Sequence, residues 1–245
     1  MAESADTIKE IAKQRKPLST EFDKHWGKDD VRTALWEMQH HKCCYCERER
    51  DKTRESDIEH FRPKAEVTEV ADHPGYWWLA YCWENLFFSC RKCNQEYKKN
   101  FFPVADEQKR ARTENCDLAE EDPYLIDPTQ KDPEEHISFD WYEVKSKSDG
   151  LKSTQVFATG RTDYGKKTIE VLGLNEDELT VERAGLIQAL KSLATLMNVS
   201  QLGHGISVEE RAEEIRQATS AKLPFTAFRR EYFRKVGLGK YIADD

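Results

Sequence analysis

The stretch Cys43 to Asn94 decides how the rest of this chain is read. It opens with CCYCERERDKTRESDIEHFRPK (43–64) and closes with YWWLAYCWENLFFSCRKCN (76–94). Cys43/Cys46 and Cys90/Cys93 are two Cys-x-x-Cys pairs. Such a pair bends back on itself and offers both sulfurs to one ion, so two of them supply the ligands of a closed tetrahedral zinc site. Four thiolates leave no open coordination position, so this zinc is structural. Its effect is to hold the loop before His60 in register with the turn before Asn94.

The bracketed segment carries an acid-acid-His cluster, Asp57, Glu59 and His60. Ser56 to Phe61 reads as a short strand, with Asp57 and Glu59 facing one way and Ile58 and His60 the other. His60 is suited to act as a general base near neutral pH. Glu59 and Asn94 offer oxygen ligands of the kind that bind magnesium or manganese. Arg62 and Lys64 follow around Pro63, basic side chains placed to hold a phosphate. A base, a hard cation and a nearby phosphate together make phosphodiester hydrolysis possible.

His60, Asn85 and Asn94, flanked by the cysteine pairs, resemble the HNH (ββα-metal) nucleases in their zinc-stapled form. The strings CCYCE, DIEHFRPK, YWWLAY, WENLFFSCRKCN and FFPV are similar, more specifically, to the nuclease family of Septu anti-phage systems, which also occurs beside certain retrons. The local match runs from Cys43 to Val104, with weaker echoes in IDPTQKDPEEHISF and TIEVLGLNEDEL. The resemblance implies an α+β fold: a zinc-stapled ββα-metal motif embedded in a mostly helical protein, with a β-hairpin in the C-terminal half. It implies that His60 is the base, that Asn85 orients it or shapes the loop, and that Glu59 and Asn94 bind the catalytic cation, with Asp57 sharing the load. Many relatives have Asp where Glu59 stands, and His where Asn94 stands; an Asn supplies an oxygen, which suits magnesium. It further implies a 5′ phosphate and a 3′ hydroxyl at the cut, and an ABC/SMC-like ATPase partner, PtuA, that gates the nuclease. Two rival readings stand beside it: an RNA (tRNA) nuclease of a retron-linked system, and a non-catalytic zinc module that scaffolds a complex.

The totals set bounds. With 245 residues the chain can bury a sizeable core in one domain or two; the expected divisions are 1–42, 43–104 and 105–245. Charged residues at 34%, aromatics at 11% and a mean hydropathy of −0.83 describe a soluble, folded chain. No apolar run reaches the length of a membrane span, and MAESADTIKE lacks a signal peptide's apolar stretch, so a cytoplasmic location is expected. The cysteines fit a reducing compartment better than a disulfide framework. The net charge of −8 differs from the basic balance of a free-standing nucleic-acid binder. A local basic patch, or a partner that holds the substrate, would reconcile the two.

Elsewhere, helices are expected over residues 2–16 and 30–39, the second with Val31, Leu35 and Met38 on one face. His25 and His73 read as surface or loop residues, Cys44 as a packed thiol, and ERERDKTRES as a solvated connection. YWWLAYCW reads as core filling. Lys98, Lys99, Lys109, Arg110 and Arg112 form a candidate phosphate track. Beyond Pro123, ISFDWYEVK and STQVFAT predict a hairpin across Ser148-Asp149-Gly150. A helix over 162–172 follows, then one capped by Asn175 and Glu178 that carries Leu186, Leu190, Leu193 and Met197. A third is capped by Ser207 and Glu210, with Val208, Ala212 and Ile215 inward. The last spans 224–236, with Phe225, Phe228, Tyr232 and Val236 inward and Arg229, Arg230, Arg234 and Lys235 outward. No phosphate-cradling Gly-rich loop occurs, so the sequence encodes no nucleotide-hydrolysing motor.

Overall fold

The computed structural model describes residues 29–145, 150–198 and 207–245, and these form a mixed α/β structure with seven α-helices and two antiparallel strand pairs. The expected helix over 2–16, His25 and the turn at Ser148-Asp149 lie outside the described residues.

Helix α1 (Asp29–Met38) begins with two acidic residues, which favour the positive end of the helix dipole. It buries Leu35 completely, with Val31 packed beside the same cluster. Met38, expected inward, is 53% exposed. The apolar stripe runs through positions 31 and 35, and the chain turns away at His40 and His41, both at positive φ. His41 stacks on Trp36 at 3.6 Å.

Strands β1 (Ser56–His60) and β2 (Leu86–Cys90) pair antiparallel, with Ser56 opposite Cys90 and His60 opposite Leu86. All of LFFSC is buried. Leu86 and Phe88 meet α1 through Leu35, whereas Phe87 joins Phe61 and Phe102 on the other face. A strand covered on both faces reads as a continuous apolar run rather than an alternation. The chain then enters a π-helical turn, Lys92–Lys98, which Lys99 ends at φ 48°. Such wide turns are rare and recur at functional sites.

The remainder holds a second hairpin, β3 (Ile137–Lys145) with β4 (Lys152–Gly160), preceded by the short helix α2 (Pro133–His136). Helices α3 (Asp163–Leu172), α4 (Asp177–Ala184), α5 (Ile187–Asn198), α6 (Val208–Ala218) and α7 (Thr226–Lys235) follow. Thr162 caps α3, and Ser207 with Glu210 closes a capping box on α6. Gly173 ends α3 in the left-handed region (φ 58°), and a Cβ there would overlap the Tyr97 ring of the π-helical turn.

Several expectations are corrected. The helix expected to start at Asn175 breaks at Gly185 into α4 and α5. Asn175 caps nothing; its amide bonds both the N–H and the carbonyl of Ala158 on β4, at 2.6 and 2.9 Å. Val208 and Val236 sit at helix ends and are exposed, while Phe233 is buried. The basic face of α7 is neutralised internally. Arg230 pairs with Glu134 and Asp245, Arg234 with Glu134, and Lys235 with Asp140, while Arg229 donates to the carbonyl of Pro224.

The charged run after Cys46 is not a solvated link throughout. Arg48 is 4% exposed and lies among Glu176, Glu178 and Glu182. Lys92 shares Glu176 and Glu178. The Glu47 carboxylate accepts the Ala227 N–H in the first turn of α7. The largest apolar cluster accordingly runs from Cys43, Tyr45 and Cys46 into Phe139, Val156 and Phe228. Among the described residues, no helix is long and apolar enough to cross a membrane.

Candidate active site

The cysteine pairs converge. The sulfurs of Cys43, Cys46, Cys90 and Cys93 all lie within 4.8 Å of one another and are buried, with Cys46 and Cys90 at 3.9 Å. A tetrahedral ion with bonds of about 2.3 Å sets its sulfurs about 3.8 Å apart, so the cage fits zinc. A disulfide would need about 2.05 Å. Cys93 N donates to Cys90 Sγ at 3.4 Å, which shapes the second turn around its sulfur. Cys44 stays outside the cage, and burial pushes its thiol up, so it remains a neutral packed group. His40 and His41 contribute no ligand.

His60 closes β1 and is 6% exposed. Its Nε2 lies 3.1 Å from the carbonyl of Ala80, which can only accept, so Nε2 carries the proton and Nδ1 keeps a lone pair. Lys64 Nζ stands 3.5 Å from Nδ1. Burial first, then the Lys64 charge, push the imidazole pKa down to about 3, so the ring is neutral at physiological pH. Asn85 builds the surroundings. Its Oδ1 accepts Arg62 N–H at 2.8 Å, and its Nδ2 donates to the carbonyls of Arg62 (3.1 Å) and Leu79 (3.3 Å). One buried amide thus ties the chain after His60 to the loop that presents Ala80. The aromatic stretch anchors that loop: Tyr76 is wholly buried against Phe102.

The acidic residues divide. Asp57 Oδ2 accepts Gln95 Nε2 at 2.9 Å and lies 3.5 Å from Asn94 Nδ2, with Arg91 Nε 3.9 Å from Oδ1. Glu59 is 3% exposed, and its Oε1 takes Lys98 Nζ at 2.6 Å and the Tyr45 hydroxyl at 3.1 Å. Lys98 also donates to the carbonyl of His60 at 3.1 Å. The structure therefore brings Asp57 to Asn94 and joins Glu59 to Lys98. Apart from the four cysteines, no group of three His, Cys, Asp or Glu side chains converges among the described residues. A site of one or two carboxylates and an amide suits a magnesium ion that keeps several waters and takes further oxygens from a phosphate.

The basic residues also divide. Lys64 faces His60. Arg62 Nε is tied to the buried Glu121 at 2.9 Å, and its guanidinium lies over the Phe61 and Phe102 rings. Two members of the expected phosphate track are interior: Lys98 on Glu59, and Arg110 forked onto Glu107 and bonded to the Tyr76 hydroxyl. His73, expected as a surface or loop residue, lies in a loop but is buried; its Nε2 donates to the carbonyl of Ala111 and its Nδ1 accepts the Gly75 N–H. The sequence placed Lys98 beside the site as a phosphate contact rather than as the partner of Glu59, and it singled out neither Tyr45 nor Glu121. The one available signal was Lys98, one helical turn beyond Asn94.

The chain is 36% identical over 190 residues to the Septu protein PtuB of Bacillus mycoides (strain KBAB4), over 72% of this chain and 60% of that protein. It is 28% identical over 164 residues to the Septu protein PtuA of the same strain, covering 65% of this chain but 21% of that protein. It is 26% identical over 162 residues to a Vibrio cholerae (serotype O1 biovar El Tor) protein named as a candidate HNH endonuclease of retron Vc95, covering 65% and 64%. The chain is thus related to the PtuB proteins it matches. It spans 60% to 64% of the length of the PtuB proteins it matches. No family profile and no solved structure matches it.

Proposed function

We propose that this chain is a metal-dependent HNH endonuclease hydrolysing nucleic-acid phosphodiester bonds, and that it serves in the cytoplasm as the nuclease of a Septu-type anti-phage system. The observation that carries the reading is His60: a buried imidazole, neutral, with its tautomer fixed by Ala80 and its Nδ1 lone pair beside Lys64. In this reading β1, β2 and the Lys92–Lys98 turn form the ββα-metal unit. His60 takes the proton of the attacking water at Nδ1, and the Nε2–Ala80 bond steadies the charge that develops on the ring. Lys64 meets the substrate phosphate. Pairing with that anion offsets the charge that depresses His60, so the base strengthens when substrate is in place. Asn85 holds the loop. Glu59 and Asn94, with Asp57, hold magnesium or manganese, which when bound stabilises charge on the phosphate oxygens and the leaving oxygen.

The partner proposed is the ABC/SMC-like ATPase PtuA. The relation to PtuB supports this, as does the acidic total of −8 with much of the basic surface paired internally. The retron relative supports a second substrate, RNA, on the same chemistry.

The test is to incubate the purified complex with plasmid and with total tRNA, plus magnesium, with and without ATP. Cleavage of one substrate, lost in His60→Ala at unchanged zinc content, is expected. Equal cleavage by His60→Ala would leave a zinc scaffold as the better reading.

A further inference from the structure

Glu59 is proposed above as a ligand of the divalent cation, yet its carboxylate already holds a cation. Lys98 Nζ lies 2.6 Å from Oε1, and both side chains are withdrawn from solvent. The Tyr45 hydroxyl donates to the same oxygen at 3.1 Å, and among the described residues no hydrogen bond reaches Oε2. Neither charge is tolerable alone at this depth: an unpaired buried carboxylate or ammonium is strongly destabilising, so each requires the other until a different ion arrives. The ammonium is also tied to the carbonyl of His60 at 3.1 Å. It therefore sits between the base and the carboxylate immediately before it in the chain.

We propose that Lys98 is an internal placeholder for the divalent cation: its ammonium and the metal compete for the Glu59 carboxylate. The proposal rests on the metal-dependent reading above and adds a form of regulation to it. Without metal, the buried carboxylate stays neutralised and His60 keeps its position. A divalent ion reaching Glu59 must displace an ammonium or share one carboxylate with it, and two cations on one buried acid repel. Metal binding is weak in the resting chain and strengthens when a substrate anion balances the added charge. Metal loading and substrate binding are then coupled.

The test is manganese binding to the purified chain alone, read from the electron paramagnetic resonance of unbound Mn2+, with zinc content and thermal unfolding as checks on folding. Lys98→Met should bind Mn2+ several-fold more tightly than wild type, and Glu59→Gln more weakly than either. A lysine that only positions its neighbours would give the opposite sign or no change in Lys98→Met, and that result overturns the proposal. Should Lys98→Met fail to fold, wild-type protein with 15N-labelled lysine provides the second measurement. The Lys98 ammonium protons should be protected from solvent without magnesium and lose that protection on titration with it. Magnesium binding with those signals unchanged sinks the placeholder and leaves the nuclease reading standing. Absence of Mn2+ binding in both wild type and Lys98→Met sinks the two together.

Discussion

The two strand pairs of this molecule are built on opposite principles. β3 and β4 are nine residues each, alternate in burial, and send Phe139, Val156 and Ala158 into a core of helices. Their charges lie at the surface in pairs such as Lys152–Glu143 and Lys235–Asp140. β1 and β2 are five residues each, too short to stand alone. Set into the apolar surroundings of this pair are buried, partnered polar groups: Glu59, His60, Asn85 and Lys98. β3 and β4 are held by apolar area; β1 and β2 add to the apolar faces of β2 a sulfur cage and directed hydrogen bonds. The lesson is that a buried polar interior is stable only when each group is fixed by a partner, and fixed polar groups are what chemistry needs.

This contrast can be broken or sharpened by experiment. The largest effect should follow loss of the ion that the cysteine cage is fitted to hold, by chelation or by Cys90→Ser. A structural zinc site contributes on the order of 10 kcal/mol to folding, so amide-exchange protection should collapse first in β1 and β2. Earlier loss in β3 and β4 would reverse the comparison. Next comes His60→Ala: if His60 is the base, as proposed, cleavage should fall about 10²- to 10⁴-fold at little change in metal content; turnover assays check it.

Asn85→Ala should be smaller in effect. It removes hydrogen bonds to Arg62 and Leu79 and leaves the Arg62 N–H without its acceptor, so unfolding in urea should show a loss of about 2 kcal/mol. The pH dependence follows from the sign of the His60 shift. Its folded pKa is depressed to about 3, so the unfolded chain takes up the proton first. The stability this imposes is full above the ordinary histidine value of about 6.5 and is lost as pH falls from there towards about 3. His73, depressed chiefly by burial, acts in the same direction. Lys64→Met removes a charge that depresses His60, so the acid loss of stability should flatten and the acid limb of kcat/KM should move to higher pH. The smallest effect belongs to the surroundings of β3 and β4: Arg234→Ala on α7 breaks an ion pair with Glu134. It should cost no more than about 1 kcal/mol and leave nucleic-acid binding, read by a gel-shift titration, unchanged.

Much of this was legible without coordinates. The cysteine spacing encoded the cage, because two residues between thiols is a local geometric fact. Alternation marked β3 and β4, and Ser207 with Glu210 marked a helix start, because capping acts within a single turn. Met38, Val208 and Val236 were misread because a helix's apolar stripe tells which face is inward, not how far along its length the core extends. Asn175 was misread because a side chain suited to a cap is equally suited to a strand edge.

What the sequence by itself determined, then, is local: which thiols pair, where the strands lie, and which residue types could do chemistry. Charge pairing was decided only in three dimensions. Lys98 and Arg110 look like solvated cations in the chain, yet the fold buries both against acids, Glu59 at a separation of 39 positions and Glu107 close by. Arg48 reaches across more than a hundred positions to Glu182. A charge's partner depends on burial and distance, which are set by how the elements pack and not by the order of residues along the chain.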